Sequence, residues 1–205
     1  MKKLILSLLV AAFVGGNTLS AQTITKNEDG KYSLSVGHVT LTVDAQKGGK
    51  IVSYRYDDKE ILSQTKIPNS FGSTFWTSPQ SEWNWPPVPE YDTKPFNAEV
   101  AGDKLILTGE KSKRFGYRVR KELTTDKKDN AIVITYTIIN ESGETRKVAP
   151  WEISRVPNGG ILFFDAKEVT PANNMETMPF VYEKKAAWYT LDESRKNRKI
   201  NADGK

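Results

Sequence analysis

From Ala131 to Ile139 the chain alternates with a period of two: Ile132, Ile134, Tyr136 and Ile138 share one face, while Val133, Thr135, Thr137 and Ile139 form a mixed opposite face. That period belongs to a β-strand, whose successive side chains leave opposite faces, and helical spacing is scarce in the rest of the chain. The same rhythm recurs. Val39, Leu41 and Val43 oppose His38, Thr40 and Thr42, Lys47-Gly48-Gly49 supplies a flexible turn, and residues 51–56 form the next strand. Asp57-Asp58-Lys59 then turns the chain into a short strand at 60–62, which completes a meander. Further strands are expected at 98–100, 105–108, 117–123, 131–139, 146–153 and 161–164, separated by turns such as Ala101-Gly102-Asp103 and Gly159-Gly160. Eight to ten short strands punctuated in this way predict an all-β fold, an antiparallel sandwich or barrel.

Residues 71–96, FGSTFWTSPQSEWNWPPVPEYDTKPF, interrupt the rhythm with three of the five tryptophans and five of the ten prolines. So many prolines exclude a central strand, and the stretch is expected to be a long ordered loop of the kind that usually carries function. Trp76, Trp83 and Trp85 alternate there with Gln80, Glu82 and Asn84. Flat apolar rings beside planar hydrogen-bonding groups suit a sugar, whose C–H face packs on an indole and whose hydroxyl rim needs amides and carboxylates. Trp76 follows Phe75 in a hydrophobic stretch and fits a core position as well as a binding one. Trp83 and Trp85 fit binding better.

A second constellation, Ala149-Pro150-Trp151-Glu152-Ile153-Ser154-Arg155, ends a strand ahead of Pro157-Asn158-Gly159-Gly160. Alternation puts Glu152 and Ser154 on one face. Arg155, beyond the regular part of the strand, is expected to reach the same rim, where a Glu-Arg pair would hold sugar hydroxyls by charge-assisted bonds. The candidate binding residues are therefore Trp76, Gln80, Trp83, Trp85, Glu152 and Arg155. Glu152 is also a weak catalytic candidate, with Asp92 or Glu82 as a second carboxylate.

Composition removes other classes. With no cysteine there is no disulfide, thiolate chemistry or cysteine zinc site, and a single histidine, His38, excludes a two-histidine metal centre within the chain. The acidic turn Asp57, Asp58 and Glu60 reads as solvated surface, so no metal or cofactor is implied. The net charge of +5 lies in the ends: setting aside Lys2 and Lys3 and the seven basic and four acidic residues after 182 leaves 21 of each sign in residues 22–182. A neutral body lacks the basic stripe a nucleic-acid binder needs. Residues 1–21 have the form of a secretory signal, with Lys2 and Lys3, an apolar run from Leu4 to Val14 and small residues ending at Ser20-Ala21. That run is too short for a membrane span, and no later one approaches eighteen apolar residues. The expectation is a periplasmic or secreted chain with one sandwich domain over 22–205.

Three stretches carry a family resemblance: VTLTVDAQKGGKIVSYRYDDKEIL, GYRVRKELTTDKKDNAIVITYTIINESGETRKVAPWEISRV, and the Phe71-Gly72 pair. Over residues 34–165 the chain resembles the galactose-mutarotase-like superfamily, the sandwich of aldose 1-epimerases. In particular it resembles a group of secreted bacterial proteins of unknown function with FW-x-x-PQ and APWE-x-SRV patterns. The resemblance implies a sugar at the mouth of the sandwich, with a histidine acid and a glutamate base in true epimerases. Here Trp151, Glu152, Ile153 and Ser154 stand where that histidine would be, and His38 is expected on the strand surface. The ordinary epimerase mechanism should therefore be absent. The resemblance also implies more C-terminal strands than the chain offers, hence an incomplete sandwich. Three functions follow: a carbohydrate-binding protein without chemistry, a sugar isomerase, lyase or hydrolase using Glu152, or a structural domain with its tryptophans in the core. The first is favoured.

Overall fold

The computed structural model describes residues 23–65, 71–157, 161–165 and 181–190. The expected leader and the Gly159-Gly160 turn lie outside the described residues. Fourteen strands are present among those described, all in antiparallel sheets. The first sheet takes β1 (Ile24–Lys26), β2 (Tyr32–Val36), β3 (Val39–Asp44), β4 (Lys50–Tyr56), β6 (Ser73–Ser78) and β11 (Ala149–Ser154) in that order, with β5 (Lys59–Glu60) paired to β4. The second runs β10 (Ala131–Asn140), β9 (Tyr117–Asp126), β8 (Lys104–Thr108), β7 (Asn97–Ala101). A third, smaller sheet is formed by β12 (Ile161–Asp165), β14 (Ala186–Thr190) and β13 (Val181–Glu183).

The first two sheets face one another, with β9 and β10 lying against β2 and β3. Alternation sets what goes between them. Leu34, Leu41, Val43, Ile51 and Phe75 from the first sheet meet Leu105, Leu107, Tyr117, Val119 and Leu123 from the second in a buried core. On β9 the intervening Arg118, Arg120 and Glu122 point outward, and Arg118 pairs with Glu141, just past the end of β10, at 3.0 Å. The all-β antiparallel sandwich expected from the period-two pattern is the observed architecture.

One expectation is corrected. The segment from Phe71 to Phe96 is not loop throughout, because its first part, STFWTS, is β6, which lies between β4 and β11. All five prolines of the segment lie at Pro79 or later, so nothing in STFWTS denies a ladder hydrogen bond, and its Thr and aromatic residues favour a strand. Pro150 does stand inside β11, where the strand is the edge of its sheet and the missing N–H costs no ladder bond on the open side.

Two glycines hold these strands in place. Gly48, at φ +64°, leaves the β3–β4 turn so close to the neighbouring segment that a Cβ would meet the Asp92 carbonyl oxygen at 2.3 Å. Gly72, also at φ +64°, brings the start of β6 equally close to the Ile51 carbonyl oxygen. A side chain at either would clash with backbone as well as strain φ.

Candidate functional site

Residues opposite one another in an antiparallel pair share a face, so the register of β6 with β11 sorts the site residues into two sets. Trp76 lies opposite Trp151, and Thr74 opposite Ile153. On the other face Phe75 lies opposite Glu152, and Ser73 opposite Ser154. Because Ile51 of β4 pairs with Ser73, Lys50 belongs to the face of Thr74 and Trp76. Arg155 continues the alternation past the end of β11, its N–H still bonding the Gly72 carbonyl at 3.1 Å. Its guanidinium donates to Thr74 Oγ1 at 3.2 Å and lies 5.8 Å over the Trp76 ring.

The tryptophan face is a cluster drawn from distant parts of the chain. The Trp76 ring is met edge-on by Trp83 at 5.9 Å, Trp85 at 5.7 Å and Trp151 at 5.7 Å. Trp83 and Trp151 are 6.2 Å apart. After β6 a 3-10 turn (Gln80–Glu82) and a short helix, α1 (Pro89–Asp92), fold the loop back over β6. Two bonds fix it. Trp76 Nε1 donates to Asp92 Oδ1 at 2.9 Å, and Trp83 Nε1 donates to the Thr77 carbonyl at 2.9 Å. Arg114 ties the same turn from outside through the Glu82 and Trp83 carbonyls, at 2.6 Å and 3.2 Å.

Burial divides the candidates. Trp76 and Trp83 are each 3% exposed and have no free ring face, whereas Trp85 is 60% exposed and Trp151 is half-buried. Gln80 and Asn84 are exposed in the turn beside Trp85. The structure thus brings Trp76, Trp83, Trp85 and Arg155 together, with the first two as support beneath the others.

Glu152 is elsewhere. It leaves β11 on the face opposite Trp151 and Arg155, and no ion pair joins Glu152 to Arg155 among the described residues. The expected Glu-Arg rim does not form because alternation persists through Arg155, three residues on. Glu152 instead accepts hydrogen bonds from Ser73 Oγ and from Ser154 Oγ, the latter at 3.1 Å. It opens onto a cavity of about 440 Å³ between the sheets, walled chiefly by Leu41, Ile51, Tyr54, Ile134 and Tyr136. That apolar surround raises its pKa above the ordinary carboxylate value, against the opposing pull of the Ser154 hydroxyl, Lys121 and Arg155. Asp92 bonds a side chain of the other face, so Asp92 and Glu152 do not share one site.

Two lysines went unremarked in the sequence reading. Lys121 sits at an inward position of β9, 3% exposed, and its ammonium donates to the Gly48 and Gly49 carbonyls at 2.8 Å each. Burial pushes its pKa down to about 7, partly offset by the charges of Glu152 and Asp92. The signal was present, since Lys121 is in phase with Tyr117, Val119 and Leu123. Lys50 is 6% exposed, and burial followed by the Arg155 charge lowers it to about 8. Nothing in its local sequence marks it.

His38 is distant from both sites. It hydrogen-bonds Asp57 Oδ1 at 2.7 Å and stacks on Tyr56 at the far end of the β3–β4 hairpin from Lys50. Among the described residues no group of three His, Asp or Glu side chains could hold a metal ion, and no helix is long and apolar enough to cross a membrane.

No family model matches the chain, and no curated protein is similar to it. Among solved structures it is similar to 4-alpha-glucanotransferase from Thermococcus litoralis, with a TM-score of 0.44 and 13% identity over 69% of this chain. The chain spans 28% of the length of that enzyme.

Proposed function

We propose that this chain is an exported carbohydrate-binding protein, built on a sandwich of the galactose-mutarotase-like kind, that holds a sugar against Trp85 and Trp151 with Arg155 at the rim. The observation that carries the reading is the convergence of four indoles from β6, the following loop and β11, in which buried Trp76 and Trp83 fix the angle of the accessible Trp85 and Trp151. A rigid indole gives a pyranose a flat apolar contact at little entropic cost, and the exposed amides of Gln80 and Asn84 stand beside it for hydroxyls. Among the described residues one of the five Arg155 N–H donors is taken up, by Thr74, and the rest suit a hydroxyl rim. The chain's single histidine stands away from this face, which favours binding over epimerase chemistry. The leader pattern at residues 1–21 supports export.

A glycan-array screen of the full chain, followed by calorimetry on the strongest hit, tests the proposal. Trp85→Ala should weaken that binding by about tenfold or more, equivalent to about 1.4 kcal/mol. Absence of any glycan binding, or binding that Trp85→Ala leaves intact, would refute it.

A further inference from the structure

By register Lys50 lies on the same side of the sheet as the tryptophans, and among the described residues its ammonium is the least satisfied cation there. The side chain is buried, yet the ammonium donates no hydrogen bond and joins no ion pair among the described residues; its contact is the Phe71 ring, 4.0 Å away. A buried ammonium without an acceptor is costly unless something supplies one. It is also not sealed in. Among the described residues the fully enclosed side-chain polar atoms that lack a partner are Tyr91 Oη, Tyr117 Oη and Arg120 Nε, so the Lys50 ammonium reaches an opening.

Arg155 stands on the same face two strands away, across β6, and its charge weighs on Lys50. Two cations held on one face without a carboxylate in contact with either would repel unless an anion came between them. The nearby carboxylate, Asp92, accepts from the Trp76 indole N–H and acts on both cations at a distance, as Glu152 acts on Arg155 from the opposite face. Among the described residues no carboxylate is hydrogen-bonded to either cation, which suits an anionic group on a ligand.

We infer that Lys50 and Arg155 are the anion-recognition part of the tryptophan face, so that its ligand is an acidic sugar, a pyranose bearing a carboxylate or a sulfate ester. This rests on the reading that the face binds sugar at all. The guanidinium presents a planar fork to two oxygens of the anionic group while the ammonium contributes a point charge from below, and Trp85 and Trp151 take the ring.

Calorimetry of the full chain at about 150 mM salt, where exposed charges are screened beyond about 8 Å, can compare a uronate trisaccharide, a sulfated trisaccharide and a neutral trisaccharide of the same linkage. One acidic ligand should bind about tenfold or more tighter than the neutral one, and the better of the two acidic ligands identifies the anionic group. Lys50→Met and Arg155→Gln should each bring that ratio toward one, and Lys50→Arg should keep it. If circular dichroism shows Lys50→Met unfolded, the half-buried Arg155→Gln carries the test. A neutral ligand bound as tightly as the acidic ones, or a preference that survives both substitutions, overturns the inference and leaves the carbohydrate reading standing. Failure of both acidic ligands to bind overturns the inference, and the carbohydrate reading then stands or falls on the glycan array.

Discussion

Lys121 enters the core because β9 alternates without regard to charge: the strand that buries Tyr117, Val119 and Leu123 must bury the residue in phase with them. The ammonium is retained by the Gly48 and Gly49 carbonyls, which closes the β3–β4 turn onto the second sheet. Its protonation then couples to stability. With folded-state values of about 7 for Lys121 and about 8 for Lys50, both below the ordinary 10.5, the unfolded chain binds more protons between those values, so stability rises with pH across that window. Burial raises the Tyr91 and Tyr136 phenols above their ordinary 10.0, so above about pH 10 the unfolded chain loses protons first and stability falls again. The midpoint of urea unfolding should therefore climb from pH 7 to about pH 9.5, and Lys121→Met should flatten the climb without abolishing it. A midpoint that is flat or falls over that range would contradict the placement of both lysines. This residue was legible in principle from its phase in the strand. Lys50 was not, because the Phe71 ring against it and the Arg155 charge that acts on it are not its sequence neighbours.

At the scale of elements, β6 and the loop after it decide which tryptophans serve the fold. Composition over 71–96 read as loop because proline and tryptophan were averaged over the whole stretch, whereas the prolines all fall after STFWTS. Trp83 and Trp85 likewise look equivalent by spacing, yet the return of the loop over β6 buries Trp83 and leaves Trp85 outside. Their truncations should separate. Trp83→Ala removes a buried indole and its bond to the Thr77 carbonyl and should cost about 3–5 kcal/mol, whereas Trp85→Ala should stay within about 1 kcal/mol. Thermal unfolding of the two variants checks this, and equal losses would show that the loop is not packed as described. The same logic separates Glu152 from Arg155. Alternation within β11 was readable, but the continuation of that alternation past the strand's end depends on the Arg155 bond to Gly72, a partner that sequence does not supply.

For the molecule as a whole, the period-two signal carried the fold class and most strand positions but not which strands become neighbours. The Ser73 hydroxyl reaches Glu152 across 79 residues of sequence, and β6 and β11 pair along their full length. No local pattern encodes such a pairing, because the energy that selects it is the burial of both strands' shared faces. The consequence is a sheet with two separate chemical sides, an aromatic and cationic side at Trp85, Trp151, Arg155 and Lys50, and a carboxylate-bearing cavity at Glu152 between the sheets. The first is the proposed sugar site. The five tryptophans offer a direct readout, since each indole N–H gives its own nuclear magnetic resonance signal and can be assigned by single Trp→Phe substitution. Titration with the best-binding glycan should shift the Trp85 and Trp151 signals and leave that of Trp188, which donates to the Glu183 carbonyl in the third sheet, unmoved. Saturable binding that moves Trp188, or that leaves Trp85 and Trp151 where they were, would contradict the account.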